Sequence, residues 1–241
     1  MSTTIFSNDY DYILSIQSKE PLVKLLSSMN YSTYTSTEAD AVVSSVSFFQ
    51  LRGPERHSVE GARSTLLELG HPVGDGNLSN TDIRLYKALA HTTFKGAEYL
   101  STNPSFLVSV ALSPTLEAET DFNAWYEEEH ISLLSQVPGW QACRRFSLVD
   151  FESTVNSVSP PRYLALHAYK DLDGFTTPQF RAATNTPWRT KVMNEIVASE
   201  RHVFVFFFHE QFTGTHPTPA EFRCTLALPY YRHEYFINLS Q

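Results

Sequence analysis

Apolar residues along this chain fall into two kinds of run, and the alternation between them lays out the elements. Runs rich in β-branched and aromatic residues mark strands at Tyr10–Gln17, Tyr31–Thr35, Ala41–Leu51 and Asp82–Leu89. Between them, Pro21–Ser28 sets Leu22, Leu25 and Leu26 on one helical face, and Glu55–Leu69 reads as a second helix stopped by Gly70 and Pro72. The order is β-α-β-β-α-β. After Asn103-Pro104 it repeats: strand Phe106–Leu112, helix Thr120–Val137, and strands Gln141–Val149 and Arg162–Tyr169. A helical stretch comes next within Thr176–Ser199, with Phe180, Trp188, Val192 and Ile196 among its buried positions and Pro187 breaking it or starting its second part. The last strand, His202–Glu210, is apolar on both faces and so expected to be covered on both. The internal repeat is therefore one of element order.

The most informative stretch is Thr120–Trp140, T-D-F-N-A-W-Y-E-E-E-H-I-S-L-L-S-Q-V-P-G-W. Thr120 or Asp121 can cap its N-terminus, and Pro138-Gly139 ends it. Phe122, Trp125, Tyr126, Leu133, Leu134 and Val137 recur at three- and four-residue intervals as one apolar face. His130, four residues after Tyr126, shares that face. Two readings fit: a core histidine hydrogen-bonded to a backbone carbonyl, or a proton-transfer group bordering a cavity. Periodicity does not choose between them. Trp125 and His130 are five apart, about 500° around an α-helix, so they are not expected on one line, and Trp125 is weighted toward packing.

The motif W-Y-E-E-E-H, followed by V-P-G-W and a strand carrying Arg144 and Arg145, resembles the EthD-type branch of the dimeric α+β barrel superfamily over about residues 104–210. Ser132 stands where that pattern often has proline. The resemblance implies an α+β fold in which two ferredoxin-like βαββαβ repeats, residues 8–92 and 104–210, form a barrel in one chain, as a pseudo-dimer of what smaller relatives build from two. It also implies that His130 faces the barrel interior. The first repeat has no W-Y-x-x-x-H counterpart, so one site is expected, in the second. Residues 211–241 read as a linker and a C-terminal extension whose eight large apolar residues, from Phe222 on, are expected to pack on the barrel.

On that expectation, strand alternation supplies further candidates. In R-Y-L-A-L-H-A-Y, Leu164, Leu166 and Ala168 share the face that suits helix packing. Tyr163, Ala165, His167 and Tyr169 share the other, taken as interior. A satisfied polar group in a filled barrel is the competing reading for His167 and Tyr169. Arg84 and Tyr86 share a face with Asp82 and are candidates for the same cavity, where a guanidinium can hold a carboxylate or enolate; a surface Arg84–Asp82 pair competes. Cys143 and Arg145 share one face of their strand, and alternation does not say which. The candidate set is His130 and His167 for catalysis, with Tyr169, Tyr126, Arg84, Tyr86, Arg145 and Trp125 around the substrate.

Composition narrows the chemistry. The 241 residues, 42% hydrophobic and 18% charged, describe a globular protein with a substantial core. A net charge of -8 disfavours nucleic-acid binding. No apolar run has membrane-spanning length, the first residues lack a signal-peptide pattern, and two cysteines make no disulfide framework, so a cytoplasmic protein is expected, with a homodimer as one option and the oligomeric state left open. Glu127-x-x-His130 lacks the second such pair that a di-iron site needs, and phosphate-binding and nucleophile-elbow motifs are absent. No metal or other cofactor is expected. Three classes stay open. The first is a cofactor-free cyclase, decarboxylase or isomerase working by proton transfer on an aromatic or polyketide-like metabolite. The second is a cofactor-free oxygenase or haem-type redox enzyme. The third is a non-catalytic small-molecule-binding or assembly protein.

Overall fold

Nine strands pair antiparallel, and eight of them close on themselves. The computed structural model describes residues 4–18, 31–37, 45–51, 58–68, 81–89, 92–95, 102–153 and 158–206. The helix expected at Pro21–Ser28 and the extension from residue 211 lie outside them. The first repeat supplies β1 (Tyr12–Ser18), β2 (Tyr31–Ser36), β3 (Ser45–Leu51), α1 (Val59–Glu68) and β4 (Thr81–Ala88), followed by a short β5 (Thr93–Phe94). The second supplies β6 (Phe106–Pro114), α2 (Glu119–Trp125), a π-helical turn (Tyr126–His130), α3 (Ile131–Leu134), β7 (Trp140–Ser153) and β8 (Tyr163–Tyr169). It ends with a 3₁₀ turn (Asp173–Thr176), α4 (Pro178–Thr184), α5 (Pro187–Asn194) and β9 (Ile196–Phe206). No helix among the described residues is long and apolar enough to cross a membrane.

The order around the sheet is β4-β1-β3-β2-β9-β6-β8-β7, and β7 pairs back onto β4. Each repeat thus keeps the ferredoxin-like order, and the second strand of each repeat pairs with the fourth of the other: β2 with β9, and β7 with β4. That reciprocal pairing is the symmetry of a dimeric barrel carried inside one chain. The 14-residue β7 makes it feasible, because its first half pairs with β8 and its second half with β4.

Closing the sheet gives it two buried faces. The inner one is filled from all sides, by Ile13, Val46, Tyr86, Leu107, Phe146 and Phe204 among others, and Ile5, Phe6 and Tyr10 of the N-terminal segment join the same cluster. The outer face of the second repeat packs under α2–α5, and that of the first under α1. Leu164, Leu166 and Ala168 belong to the inner cluster, whereas Ala165 and Tyr169 belong to the layer under the helices. The expected assignment of the two faces of β8 is therefore reversed. Aliphatic and aromatic side chains together fill the barrel, and the face with His167 looks outward at the helices.

Several boundaries move for local reasons. The helix starts at Glu119 without a side-chain cap from Thr120 or Asp121; one turn earlier, the Thr115 hydroxyl accepts from the Ala118 N–H. Glu119 instead pairs with Arg162 at 2.9 Å and accepts from the Tyr163 hydroxyl. Thr177-Pro178 and Thr186-Pro187 each start a short helix with the threonine hydroxyl as cap. Strand β9 begins at Ile196, six residues before the expected start, so Ile196 is a strand residue and not a helical one. Beyond the end of α3, Gly174 lies so close to the Pro138 carbonyl that a Cβ there would collide with its oxygen. Gly139, at φ 79°, turns the chain beside Asp171 into β7.

Candidate functional site

The π-helical turn decides where the key side chains point. In it the Ile131 N–H bonds back to the Tyr126 carbonyl, five residues away, instead of four. The wider turn brings residues five apart into line, so Trp125 and His130 stack, with ring centroids 4.2 Å apart and planes at 24°. The α-helical expectation that they do not share a line is corrected by that extra residue. Tyr126 meets His130 edge-on at 5.4 Å. Both rings of the stacked pair lie in the layer between helix and sheet, so His130 does not face the barrel interior as the resemblance implied.

Strands β7 and β8 provide the floor. His167 stands 6.5 Å from His130, ring to ring, and its Nδ1 accepts from the Trp140 Nε1–H at 3.4 Å, which puts the proton of the neutral imidazole on Nε2. Trp140 reaches this side because of an irregularity in β7 between Trp140 and Ala142. Trp140 and Cys143 thereby face the helices, while Ala142 faces the barrel. Beyond it alternation resumes: Arg144 turns inward and donates to the Ser7 and Tyr10 carbonyls, and Arg145 turns outward. The Arg145 guanidinium lies 4.2 Å from the Tyr126 ring centroid and donates from Nη2 to Asn123 Oδ1 at 2.6 Å.

Burial sets the protonation states. The His130 pKa is held well below its ordinary value, first by burial, then by repulsion from His167 and Arg189; a hydrogen bond to the backbone of Ala183 acts the other way. His167 is lowered to about 3 by burial, then by Arg201 and Arg145. Both imidazoles are neutral at pH 7. Cys143 is pushed up to about 12 by burial, so it is a thiol at neutral pH and a poor nucleophile. Burial also raises the Tyr126 and Tyr169 hydroxyls and lowers Arg145.

Three buried polar atoms of this layer have no hydrogen-bond partner among the described residues: His130 Nδ1, Trp125 Nε1 and Arg145 Nη1. His130 is only 8% exposed, so bulk solvent barely reaches it. Of the three residues, Arg145 borders a cleft of about 550 Å³ that opens between β5, the π turn, α3 and β7 and is lined also by Phe94, Lys95, Glu127, Ile131 and Cys143; His130 and Trp125 do not line it. Its size is that of a small-molecule site.

Of the sequence candidates, the fold brings together His130, His167, Trp125, Tyr126 and Arg145. Tyr169 lies in the same layer but packs edge-on against Phe175 at 5.0 Å. Arg84 and Tyr86 do face the barrel interior, as expected, but that is the opposite side of the sheet. There Arg84 is buried and paired with Asp82 at 2.7 Å and with Glu200 at 2.5 Å, so the pair expected at the surface is an internal one with a third member. Glu127 is 65% exposed and lies 3.6 Å from Arg145, whereas the other member of the E-x-x-H spacing, His130, is buried. Asn123, Trp140 and Arg189 were not among the sequence candidates. V-P-G-W was visible, but nothing in the order of residues signals the irregularity that turns Trp140 toward His167.

No protein-family model matches the chain, and no curated protein matches it. Among solved structures, an anthrone oxidase-like protein superposes with a TM-score of 0.55 at 13% identity, over 86% of this chain and 94% of that one. A monooxygenase-like protein from Listeria innocua gives 0.45 at 12% identity, over 83% and 96%. An uncharacterized ferredoxin fold protein related to antibiotic biosynthesis monooxygenases, from Listeria monocytogenes, gives 0.45 at 12%, over 85% and 98%. At 13% identity the first likeness speaks to fold alone: this chain has the ferredoxin-like α+β barrel architecture.

Proposed function

We propose that the protein is a cofactor-independent enzyme that removes a proton from a small aromatic or polyketide-like substrate bound between the second repeat's helices and sheet, on an EthD-type variant of the barrel. The observation that carries the reading is the unpartnered Nδ1 of a buried, neutral His130, set beside two further unpartnered donors. A neutral imidazole can take a proton, and the Trp125 and Arg145 N–H groups can donate to the oxygen on which the resulting negative charge settles. Trp125 fixes the imidazole plane by stacking. His167 contributes a neutral ring whose Nδ1 is already engaged by Trp140, leaving its Nε2–H as a donor. The protein's role is to desolvate and orient an acidic C–H or phenol next to His130.

The anion formed has two fates. Rearrangement with return of the proton would make the protein a cyclase or isomerase, and removal of a carboxyl proton, loss of CO2 and return of that proton to the carbon left behind a decarboxylase; reaction with dioxygen would make it an oxygenase. An anthrone, the compound class in the name of the first solved neighbour, is the first substrate to assay. Incubation in an oxygen electrode with product analysis decides: stoichiometric oxygen uptake identifies the oxygenase, and product formed equally well without oxygen identifies the rearranging enzyme. Binding without any product under either condition would leave a small-molecule-binding protein and contradict the enzymatic reading.

A further inference from the structure

We propose that the cleft bordered by Arg145, at the edge of the His130 layer, takes an aromatic carboxylate, whose carboxylate is held by Arg145; this rests on reading the His130 layer as a site for an aromatic small molecule.

Of the three buried arginines on β4 and β7, Arg145 is the one that borders the cleft. Arg84, equally buried, has two carboxylates around it, with four hydrogen bonds. Arg144 likewise has no carboxylate partner among the described residues and its Nε is without a hydrogen bond, but both its terminal nitrogens donate to backbone carbonyls and it does not line this cleft. Arg145 is 5% exposed, yet its one hydrogen bond among the described residues goes to a neutral amide oxygen, that of Asn123. Glu127 comes no closer than 3.6 Å and sits mostly in water. A guanidinium buried without a close carboxylate is costly, and the cost is removed when an anion arrives with the bond geometry that Nη1 leaves open.

The surroundings favour an anion over a neutral oxygen. Arg189, half-buried in the same layer, has no ion pair among the described residues, and its charge acts on His130. Lys95 borders the cleft as well. Among the charged residues that border the cleft, Lys95 and Arg145 outnumber Glu127, in a chain of net charge -8. The rest of the ligand is set by the apolar part of the cleft wall, Leu89, Phe94 and Ile131, next to the aromatic face of Tyr126 on which the guanidinium lies. One end anionic and the body flat and apolar describes an aromatic carboxylate.

The test compares hydroxynaphthoate with the matching hydroxynaphthamide, which has the same shape and no charge, by calorimetric titration of the full chain. The carboxylate should bind roughly ten- to hundredfold more tightly than the amide, the range of one charge-assisted hydrogen bond. Arg145→Gln should erase the difference. Glu127→Gln, at an exposed position, should tighten carboxylate binding several-fold by removing the competing anion, which keeps a test available should Arg145→Gln not fold. Equal affinity for the two ligands, no binding of either at millimolar concentration, or a preference unchanged in both variants would overturn the proposal. Repeating the titration in His130→Gln separates it from the catalytic reading: anion binding persists there even where turnover is absent from every variant.

Discussion

Trp125 and His130 stack at 4.2 Å because the chain between them is wound as a π turn. An α-helical continuation would set His130 about 140° around the axis from Trp125 and break the stack. The indole therefore acts as a positioning group for the imidazole. Trp125→Leu is expected to lower kcat by up to ~10²-fold while KM stays within a few-fold, since misplacing a catalytic group by about 1 Å costs that much. Trp125→Phe, which restores an aromatic face, is expected to recover most of it. Equal losses in both variants would mean that indole packing alone matters.

The two depressed histidines make stability fall in acid. Below pH 6.5 the unfolded chain protonates both rings while the native state does not, so the unfolded state binds more protons and stability rises with pH. For His167 the window runs from 6.5 down to about 3. Each ring contributes a slope of about 1.4 kcal/mol per pH unit. Urea unfolding from pH 6 to 4 should show that slope reduced by about one ring's share in His167→Phe; an unchanged slope would show His167 charged in the native state. Turnover through a neutral His130 should, for the same reason, stay level from pH 8 to below 6.5.

The barrel interior holds its own ionic cluster, Arg84 with Asp82 and Glu200, joining β4 to β9 across the lumen. Arg84→Met leaves a buried carboxylate without its cation and is expected to cost about 3–5 kcal/mol in chemical denaturation. At a temperature where the variant is folded, kcat/KM is expected to remain within a few-fold of the parent, because Arg84 lies on the opposite face of the sheet from His130. A loss of activity in folded Arg84→Met would return the substrate to the barrel.

The strand order of both repeats, and with it the barrel, could be read from the residues because each strand carries its own apolar run. So could the burial of His130, which its spacing to Tyr126 implies. The side of the sheet could not. In a closed barrel packed under helices both faces of β8 are buried, so the alternation of Leu164, Leu166 and Ala168 with Ala165, His167 and Tyr169 groups the residues correctly and leaves their direction open. The Trp125–His130 stack was hidden for another reason: a π turn keeps the composition of an α-helix and changes only its winding. The partner of His167 depended likewise on a one-residue irregularity in β7 that turns Trp140 outward.

Proton removal by His130 is the centre of this account, and solvent hydrogen exchange measures it independently of the later fate of the anion. A tetralone, an aromatic ketone with an acidic methylene, is incubated with the protein in deuterium oxide under anaerobic conditions, and loss of the methylene signal is monitored by NMR. The parent protein is expected to accelerate exchange, and folded His130→Gln to lose the acceleration by roughly 10²–10⁴-fold. Exchange in folded His130→Gln within a few-fold of an accelerating parent, or no acceleration by the parent for any bound aromatic ketone, would contradict it.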